Sequence, residues 1–284
     1  MKKIDKKIEA IRKYGILICP KCSGEFHIEG KSLKCKLGHT YDISKKGTVN
    51  FVLGYGEENY NLAMLEARER VISEGFFDDI VLAVCEEIYT DYRLKGDMDK
   101  PLRILDAGCG DGSHISLIGK FFEEKGVDTE LIGVDISKDG IHIAGRKDND
   151  VLYFVADLAH LPFRDRSIDV IVNILSPINY KDFRRVLTED GLVYKVIPET
   201  GYLKELRKLY GLSEYQNTEI VEHLKDNAKV LKERKIKSVE NVETYLDDLL
   251  LMTPMLWDRE IMDPGAKLRE ITIDCALFTF GFEE

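Results

Sequence analysis

Three cysteines and one histidine near the start of the chain have the spacing of a metal-binding knot. Cys19 and Cys22 form a C-x2-C pair, twelve residues follow, and Cys35 and His39 then form a C-x3-H pair. Thiolates and imidazoles are ligands that zinc prefers, and four protein ligands close a tetrahedral structural site. The spacing therefore predicts a bound Zn²⁺ with a structural role.

Two other readings of these cysteines fit less well. A redox C-x-x-C is expected beside a thioredoxin-like strand and helix, and no such pattern follows this pair. A disulfide framework is expected in an oxidising compartment and at a higher cysteine density than six in 284 residues. His27 lies in the same stretch but outside the paired spacing, so we expect it at the surface or facing nucleic acid rather than on the metal.

A glycine-rich turn further along the chain has the pattern of a cofactor site. The stretch "ILDAGCGDG" places Gly108, Gly110 and Gly112 after an apolar strand and before a helix, where a tight turn allows a ligand to approach the backbone. There is no G-x-x-x-x-G-K, which excludes a phosphate-binding P-loop. Asp106, just inside the strand, suits a cofactor that carries an ammonium group and would repel a pyrophosphate.

Two further carboxylates follow the next two strands. Asp135 is placed to accept hydrogen bonds from ribose hydroxyls, and Asp157 to accept one from an adenine amino group. Each alone also fits an ordinary turn, but their order along the chain predicts an S-adenosylmethionine pocket and hence a methyltransferase. The candidate cofactor-binding residues are Asp106, Gly108, Cys109, Gly110, Gly112, Asp135, Ile136, Asp157 and Leu158.

The hydrophobic pattern predicts the elements that would position these residues. Apolar strands alternate with helices from residue 102 to 198, and further strands are expected over 235–243 and 269–280. This pattern indicates a doubly wound, mostly parallel α/β sheet of seven strands, preceded by a small zinc-binding domain. The expected divisions are residues 1–53 for the first helix and zinc domain, 54–100 for a linker and helices, and 101–284 for the catalytic domain, with a helical insertion around 201–236.

The charge is distributed unevenly. Residues 1–52 hold twelve lysines and arginines against five acids, although the whole chain has a formal net charge of −10. A basic head on an acidic body favours contact with a polyanion; the alternative is a set of merely solvated lysines. No apolar run long enough for a membrane span or a secretory signal is present, so cytoplasmic residence is expected.

Several longer stretches carry a resemblance to a known family. They are "GTVNFV" (47–52), "MLEARERVISEGFF" (64–77), "SPINYKDFRRVL" (176–187) and "LMTPMLW" (251–257). Together with the zinc spacing and the glycine turn, they resemble the bacterial large-subunit ribosomal RNA (guanine-N1)-methyltransferases. The resemblance implies a homodimer that methylates N1 of a guanine in a hairpin loop of 23S rRNA. The chain departs from the family in the 18 residues before Cys19 and in its acidic body.

The sequence also suggests residues that would meet the RNA. Asn173, Ser176 and Pro177 follow the fourth strand and are expected to line the reacting base, or else only to shape that loop. The RNA-binding candidates are Lys31, Lys34, Lys36 and Trp257, of which Trp257 also fits core packing. No residue is assigned as the general base.

Two further functions stay open at this stage. One is a methyltransferase of a small molecule in which zinc only staples the fold. The other is a noncatalytic zinc- and cofactor-binding module, which the intact acids and glycines of the pocket argue against.

Overall fold

The chain begins with an amphipathic helix and a small antiparallel sheet in the computed structural model, which describes residues 1–52, 61–96, 100–257 and 268–282. Ile4, Ile8 and Ile11 form the buried face of the helix, as their spacing predicts. The helix ends at Gly15, which adopts the left-handed conformation that glycine accommodates best. The elements are α1 (Lys3–Tyr14), β1 (Phe26–Glu29), β2 (Ser32–Cys35), β3 (Thr40–Asp42) and β4 (Val49–Asn50).

Two helices lead into the main sheet, as predicted from a break near Gly75. They are α2 (Leu62–Ser73) and α3 (Asp78–Lys95). Gly75 takes a φ of 89°, which lets the chain turn between them. The Asn61 side chain caps α2 by accepting a hydrogen bond from the Met64 N–H at 2.9 Å. The linker predicted at residues 54–60 lies outside the described residues.

Strands and helices then alternate as the hydrophobic pattern predicts. They are β5 (Leu102–Ala107), α4 (Ser113–Glu124), β6 (Thr129–Asp135), α5 (Lys138–Ala144), β7 (Leu152–Val155), β8 (Ile168–Ile174), α6 (Tyr180–Val186) and β9 (Leu187–Pro198). The helix predicted over residues 181–190 was wrong at its end, because β9 already begins at Leu187, which pairs with Ile168 of β8.

The last part of the chain contains one larger correction. Its elements are α7 (Lys204–Leu209), α8 (Thr218–Asn227), β10 (Lys229–Asn241), α9 (Leu246–Met252), a 3-10 turn (Pro254–Leu256) and β11 (Glu270–Gly281). The helical insertion expected to residue 236 ends at Asn227. Pairing of β10 with β11 along their length outweighs the helical preference of the local sequence. Among the described helices, none is long and apolar enough to cross a bilayer.

The main sheet has the order β10-β11-β9-β8-β5-β6-β7-β4. Among these strands β11 alone runs in the direction opposite to the others, so the predicted mostly parallel, doubly wound sheet is confirmed. Seven of the strands follow the predicted α/β alternation. The eighth, β4, lies in the stretch "GTVNFV" (47–52) after the cysteines, which predicts a short strand; its place at the edge of the main sheet was not predicted.

The N-terminal segment is packed directly onto the sheet. β4 pairs with β7, and the Ile18 N–H donates to the Pro162 carbonyl at 2.9 Å. Leu33, Tyr41 and other apolar side chains of the small sheet share one hydrophobic cluster with the face of the main sheet. The cysteine-bearing segment is therefore held against the sheet by backbone pairing and by a common core.

Two lysines of α1 fasten this helix to the main body. Lys7 is 5% exposed, and its Nζ donates to the carbonyls of Asn149 at 2.5 Å and Val151 at 2.8 Å. Lys3 donates to the carbonyl of Gly145 at 2.9 Å and to that of Lys147. Burial lowers the pKa of Lys7 to about 8. The helix that precedes the first cysteine thus donates hydrogen bonds to the carbonyl groups of residues 145–151, which lead into β7.

Replacing Lys7 by methionine tests this contact. The Lys7→Met side chain keeps the aliphatic stem but leaves two buried carbonyls without a donor, so we expect a loss of about 1–3 kcal/mol in the free energy of unfolding. Urea denaturation followed by circular dichroism measures it. Lys6→Met, at an exposed position of the same helix, is the matched control and is expected to change stability little; equal losses in the two variants would contradict the assigned contact.

Candidate active site and zinc centre

The four predicted zinc ligands come together in the structure. The ligand atoms of Cys19, Cys22, Cys35 and His39 all lie within 4.8 Å of one another. The Cys22 and Cys35 sulfurs are 3.7 Å apart, and His39 Nδ1 is 3.4 Å from the sulfurs of Cys19 and Cys35. A tetrahedral Zn²⁺ with its usual bond lengths requires separations of about 3.8 Å and 3.5 Å. The donor set and its dimensions therefore fit zinc.

The two ligand pairs lie on tight backbone turns. In the first pair the N–H groups of Cys22 and Ser23 both donate to the Cys19 carbonyl, and Ser23 has a φ of 54°. In the second pair Gly38, with a φ of 82°, donates to the Cys35 carbonyl at 2.9 Å. These turns aim the ligands at one point. His27, the rival nitrogen ligand, is exposed on β1 and lies outside the cluster.

The glycine turn after β5 lies near the centre of the sheet, where the strand order reverses. The chain continues to β6 and β7 on one side of β5 and to β8 and β9 on the other. The N–H groups of Gly108 and Cys109 donate to the Val134 carbonyl, and that of Gly110 donates to Asp135 Oδ2 at 2.8 Å. These donors are thus used within the protein. Recognition of a ligand here must rest largely on charged side chains around the turn, rather than on a cradle of free N–H groups.

Two buried charged atoms beside the turn have no hydrogen-bond partner in the described structure. One is Oδ2 of Asp106, a residue that is 1% exposed, and the other is Nε of Arg68 on α2. Arg68 Nε would be 3.8 Å from a Cβ added at Gly110, so the guanidinium lies directly against the turn. A buried carboxylate and a buried guanidinium fit the ammonium and the carboxylate of an amino acid, and the amino-acid end of S-adenosylmethionine carries both groups.

Burial and a neighbouring carboxylate perturb the acid of this pair. The pKa of Asp106 is raised to about 8, chiefly by desolvation and then by the charge of Asp135, while Arg68 opposes the shift. Asp106 therefore holds a proton near neutral pH until a cation arrives beside it. The site is prepared for a positively charged group.

A network of charges holds α2 over the glycine turn. Lys147 Nζ lies 2.6 Å from Glu69 of α2 and 3.5 Å from the buried carboxylate of Asp111 within the turn. It also donates to Ser113 Oγ at 3.2 Å. Because Glu69 is the next residue after Arg68, this ion pair helps to hold the part of α2 that carries Arg68 against the turn.

The ends of β6 and β7 supply the remaining predicted cofactor contacts. Asp135 accepts from the N–H groups of Gly110 and Ser137, each at 2.8 Å, so ribose hydroxyls would use its remaining lone pairs. Ile136 is 55% exposed, which is unusual for an isoleucine and suits the face of a purine. Asp157 is exposed, and its Oδ1 accepts from the Ala159 N–H at 2.8 Å.

Two other candidates are placed less directly. Leu158 is half-buried beside Asp157. Cys109 is 3% exposed, and its sulfur would be 2.9 Å from a Cβ added at Gly133, so its side chain points behind the turn. Cys109 can therefore meet a ligand only through its backbone.

The loop after β8 carries the predicted substrate-facing residues. Asn173 is fully buried, and its Nδ2 donates to the Ala107 carbonyl at 2.7 Å and to the Pro177 carbonyl at 3.0 Å. Its Oδ1 accepts from Lys195 Nζ at 2.6 Å. The structure thus places Asn173 beneath the loop, where it supports the backbone.

Ser176 is half-buried in the same loop, above the glycine turn, and Pro177 next to it is exposed. A Cβ added at Gly108 would overlap the Ser176 hydroxyl, so the loop and the turn are in close contact. Leu175, just before it, takes a left-handed φ of 51°, a strained conformation for a leucine. Strain maintained at this point indicates that the position of Ser176 is tightly determined.

The RNA-binding candidates are spread over two regions. Lys31 and Lys36 are exposed around β2, whereas Lys34 is half-buried and pairs with Glu29 at 2.9 Å. Trp257 is half-buried and follows the 3-10 turn, whose Leu256 is buried in the core. That turn follows α9, which packs on α2 and so lies near the glycine turn.

Sequence reasoning missed Arg68 and Lys195. Arg68 lies within the stretch 64–77 that carried the family resemblance, but a single arginine on a helix gives no signal of a buried guanidinium. Lys195 lies among apolar residues in the second half of β9. A lysine within such a strand was the signal that could have found it.

Comparisons with known proteins agree with this geometry. Residues 104–193 match the family model described as a methyltransferase domain. A putative 23S rRNA (guanine-N1)-methyltransferase of Bacillus subtilis is 38% identical over 92% of this chain and 95% of its own length. The chain belongs to the 23S rRNA (guanine-N1)-methyltransferase family. A 23S rRNA (guanine(748)-N1)-methyltransferase of Streptomyces fradiae is 24% identical over 90% of both chains. A further putative member, from Micromonospora griseorubida, is 29% identical over 69% of this chain and 70% of its own length.

These matches identify the chain as an S-adenosylmethionine-dependent methyltransferase. The matched region begins within β5 and ends within β9, so it contains the glycine turn, the ends of β6 and β7, and the loop after β8. The cofactor predicted from the acids and glycines is confirmed. The cysteine cluster lies outside that region, and its four ligands fit the predicted zinc.

Removing a zinc ligand tests the metal centre. We expect His39→Ala and Cys35→Ser to lower bound zinc from about one ion per chain to well below that, and to destabilise the N-terminal segment, because three ligands leave the tetrahedron open. Metal content is measured by mass spectrometry of the purified protein. His27→Ala removes the exposed neighbouring imidazole and should retain the metal; zinc unchanged in all three variants would refute the site.

Proposed function

We propose that this protein transfers a methyl group from S-adenosylmethionine to N1 of a guanine in a hairpin loop of 23S rRNA. The observation that carries the proposal is the pairing of a complete cofactor pocket with a basic, zinc-stabilised head, in a chain that matches its Bacillus subtilis relative over nearly its whole length. A methyltransferase of small molecules would not need a basic N-terminal segment, whereas an enzyme that binds RNA would.

The cofactor is held by charges at one end and by an apolar surface at the other. Asp106 pairs with its ammonium group and Arg68 with its carboxylate, while Asp135 accepts from the ribose. Ile136 packs on the adenine, and Asp157 accepts from its amino group. When bound, S-adenosylmethionine supplies a methyl group that is already activated by the sulfonium charge.

The chain's own residues present the base. Ser176 and Pro177 line the position of the guanine above the glycine turn, and Asn173 keeps their loop in place from below. A base in an RNA loop can be turned out of its stack and held against such a surface. Methyl transfer then depends chiefly on positioning, because the donor needs no further activation.

The RNA is captured at two places. Lys31 and Lys36 neutralise phosphates, and Lys34 does so by exchanging its ion pair with Glu29, while Trp257 stacks on a base near the pocket. The acidic remainder of the surface restricts binding to these regions. We further propose that the enzyme acts as a homodimer in the cytoplasm, where its ribosomal substrate is made.

A methylation assay tests the proposed substrate. The protein is incubated with S-adenosylmethionine labelled in its methyl group and with large-subunit rRNA that lacks the modification. We expect label in the RNA and a reverse-transcription stop at one guanine of a hairpin loop, because an N1-methyl group blocks the base-pairing edge. Label in a small metabolite with no stop would contradict the RNA substrate and favour a small-molecule methyltransferase.

A second measurement tests the role of Arg68. We expect Arg68→Met to weaken binding of S-adenosylhomocysteine about 10- to 100-fold, since a charged hydrogen bond to the carboxylate is lost. The decarboxylated analogue of S-adenosylhomocysteine, which lacks this carboxylate, should bind Arg68→Met and the unmodified protein with equal affinity. Isothermal titration calorimetry gives the affinities. The control is Arg70→Met, which removes an exposed arginine of the same helix, α2, that bonds to Asp248 of α9. If Arg68→Met weakened the binding of both ligands equally, Arg68 would have a structural role only.

A further inference from the structure

A lysine side chain is buried directly beneath the substrate loop. Lys195 of β9 is 4% exposed, and its Nζ donates to Asn173 Oδ1 at 2.6 Å and to the Ser176 carbonyl at 2.8 Å. Asn173 passes the connection on to the carbonyls of Ala107 and Pro177. One ammonium group thus ties together the carboxyl ends of β5, β8 and β9 and the loop above them.

This ammonium group has no carboxylate partner among the described residues. Burial alone lowers the pKa of Lys195 to about 8, and no charged neighbour adds to the shift. A buried charge without an opposite charge beside it is disfavoured. The contacts that compensate it are its hydrogen bonds to Asn173 and to the Ser176 carbonyl, so the charge lies directly against the substrate loop.

The surrounding acids are committed elsewhere. Asp182 of α6 accepts from Arg185 and from the Leu161 N–H. Asp106 extends from the other face of β5, on the side of Ile104, whereas Leu105 and Ala107 face the cluster below Lys195. Tyr180 of α6 and His223 of α8, whose rings lie 5.2 Å apart, are titratable groups on the helices packed against this side of the sheet. Tyr194, next to Lys195, points to the opposite face and bonds to Asp91.

We propose that Lys195 is a positioning residue with a second, electrostatic role: it holds the Ser176–Pro177 loop over the glycine turn, and its positive charge favours the N1-deprotonated form of the guanine bound there. The inference rests on the proposed function. N1 of guanine carries a proton at neutral pH, and the negative charge left by its loss spreads over N1 and O6. Because Lys195 Nζ is buried and bonds to the Ser176 carbonyl of the loop that would line the base, its charge would stabilise that anion more than an exposed cation would.

The chemical step balances without any further reactant. The N1–H bond breaks, and the proton passes to solvent. The electron pair left on N1 forms the new bond to the methyl carbon, while the carbon–sulfur bond breaks and sulfur keeps its electron pair. Lys195 takes no part in these bond changes; it lowers the free energy of the anion from which they start.

Two substitutions separate holding the loop from supplying the charge. Lys195→Met removes both the donor and the charge, whereas Lys195→Gln keeps an N–H donor without the charge. Single-turnover methylation of unmodified large-subunit RNA is measured at saturating cofactor, at pH 7 and at pH 9.5. Tyr194→Phe, which loses a buried hydrogen bond on the other face of the same strand, is the control for general loss of stability.

We expect both Lys195 variants to be at least about 10-fold slower than the unmodified protein at pH 7, with the difference shrinking at pH 9.5. At the higher pH guanine loses its N1 proton without help, and Lys195 in the unmodified protein is itself largely neutral. Tyr194→Phe should show the same small change at both values. Binding of S-adenosylhomocysteine should be unaltered in Lys195→Gln.

The opposite outcomes are equally clear. A rate loss by one constant factor at both pH values would overturn the electrostatic role, and so would full activity of Lys195→Gln at pH 7. Unchanged rates in Lys195→Met would overturn both roles. If the unmodified protein itself fails to label RNA, the proposed function fails instead, and this result is independent of any Lys195 variant.

Discussion

The position of β5 between β6 and β8 is the constraint on which the rest of the structure depends. Asp106 pairs in register with Gly133 of β6 on one side and with Val172 of β8 on the other. The strand order reverses here, since β6 and β7 extend the sheet on one side of β5 and β8 and β9 extend it on the other. A crevice must therefore open above the end of β5. The glycine turn, the acids after β6 and β7, and the loop after β8 all meet there because their strands end at the same edge.

The site is built around ionisable groups that the fold buries before any ligand is bound. Asp106 is kept protonated near neutrality, Arg68 presents an unpaired nitrogen, and Lys195 has no acidic neighbour among the described residues. Each of these costs stability in the free protein. The cost is offset by a large core on both faces of the sheet, and it allows recognition without much reorganisation of the protein on binding.

The sequence predicted the alternating core and the two ligand clusters, because both depend on patterns that are local in the chain. The glycine turn, the C-x2-C pair and the C-x3-H pair each span only a few consecutive residues of the chain. The errors have a common cause. Residues 187–190 and 229–234 look helical locally but belong to strands, because Leu187 pairs with Ile168 of β8 and residues 229–234 pair with β11, which comes later in the chain.

The residues that the sequence could not reveal are those defined by a distant partner. Arg68 matters because α2 folds back over the turn, and that contact depends on Lys147, 79 positions later. Lys195 matters because it lies opposite Asn173 in the sheet register. A lysine among apolar residues of a strand can be noticed in the sequence, but neither partner leaves a trace in hydrophobic periodicity, so neither relation could be inferred before the fold was known.

The short strand β4 has a consequence for how the protein behaves when it loses its metal. The described part of β4 is only two residues long, yet together with the Phe51 N–H it covers the outer edge of β7. A bare edge of a mostly parallel sheet offers unpaired backbone groups to any other strand that it meets. The zinc knot anchors the chain just before β4, so the ion also acts as a guard against aggregation: metal depletion would threaten solubility before it affected the cofactor pocket.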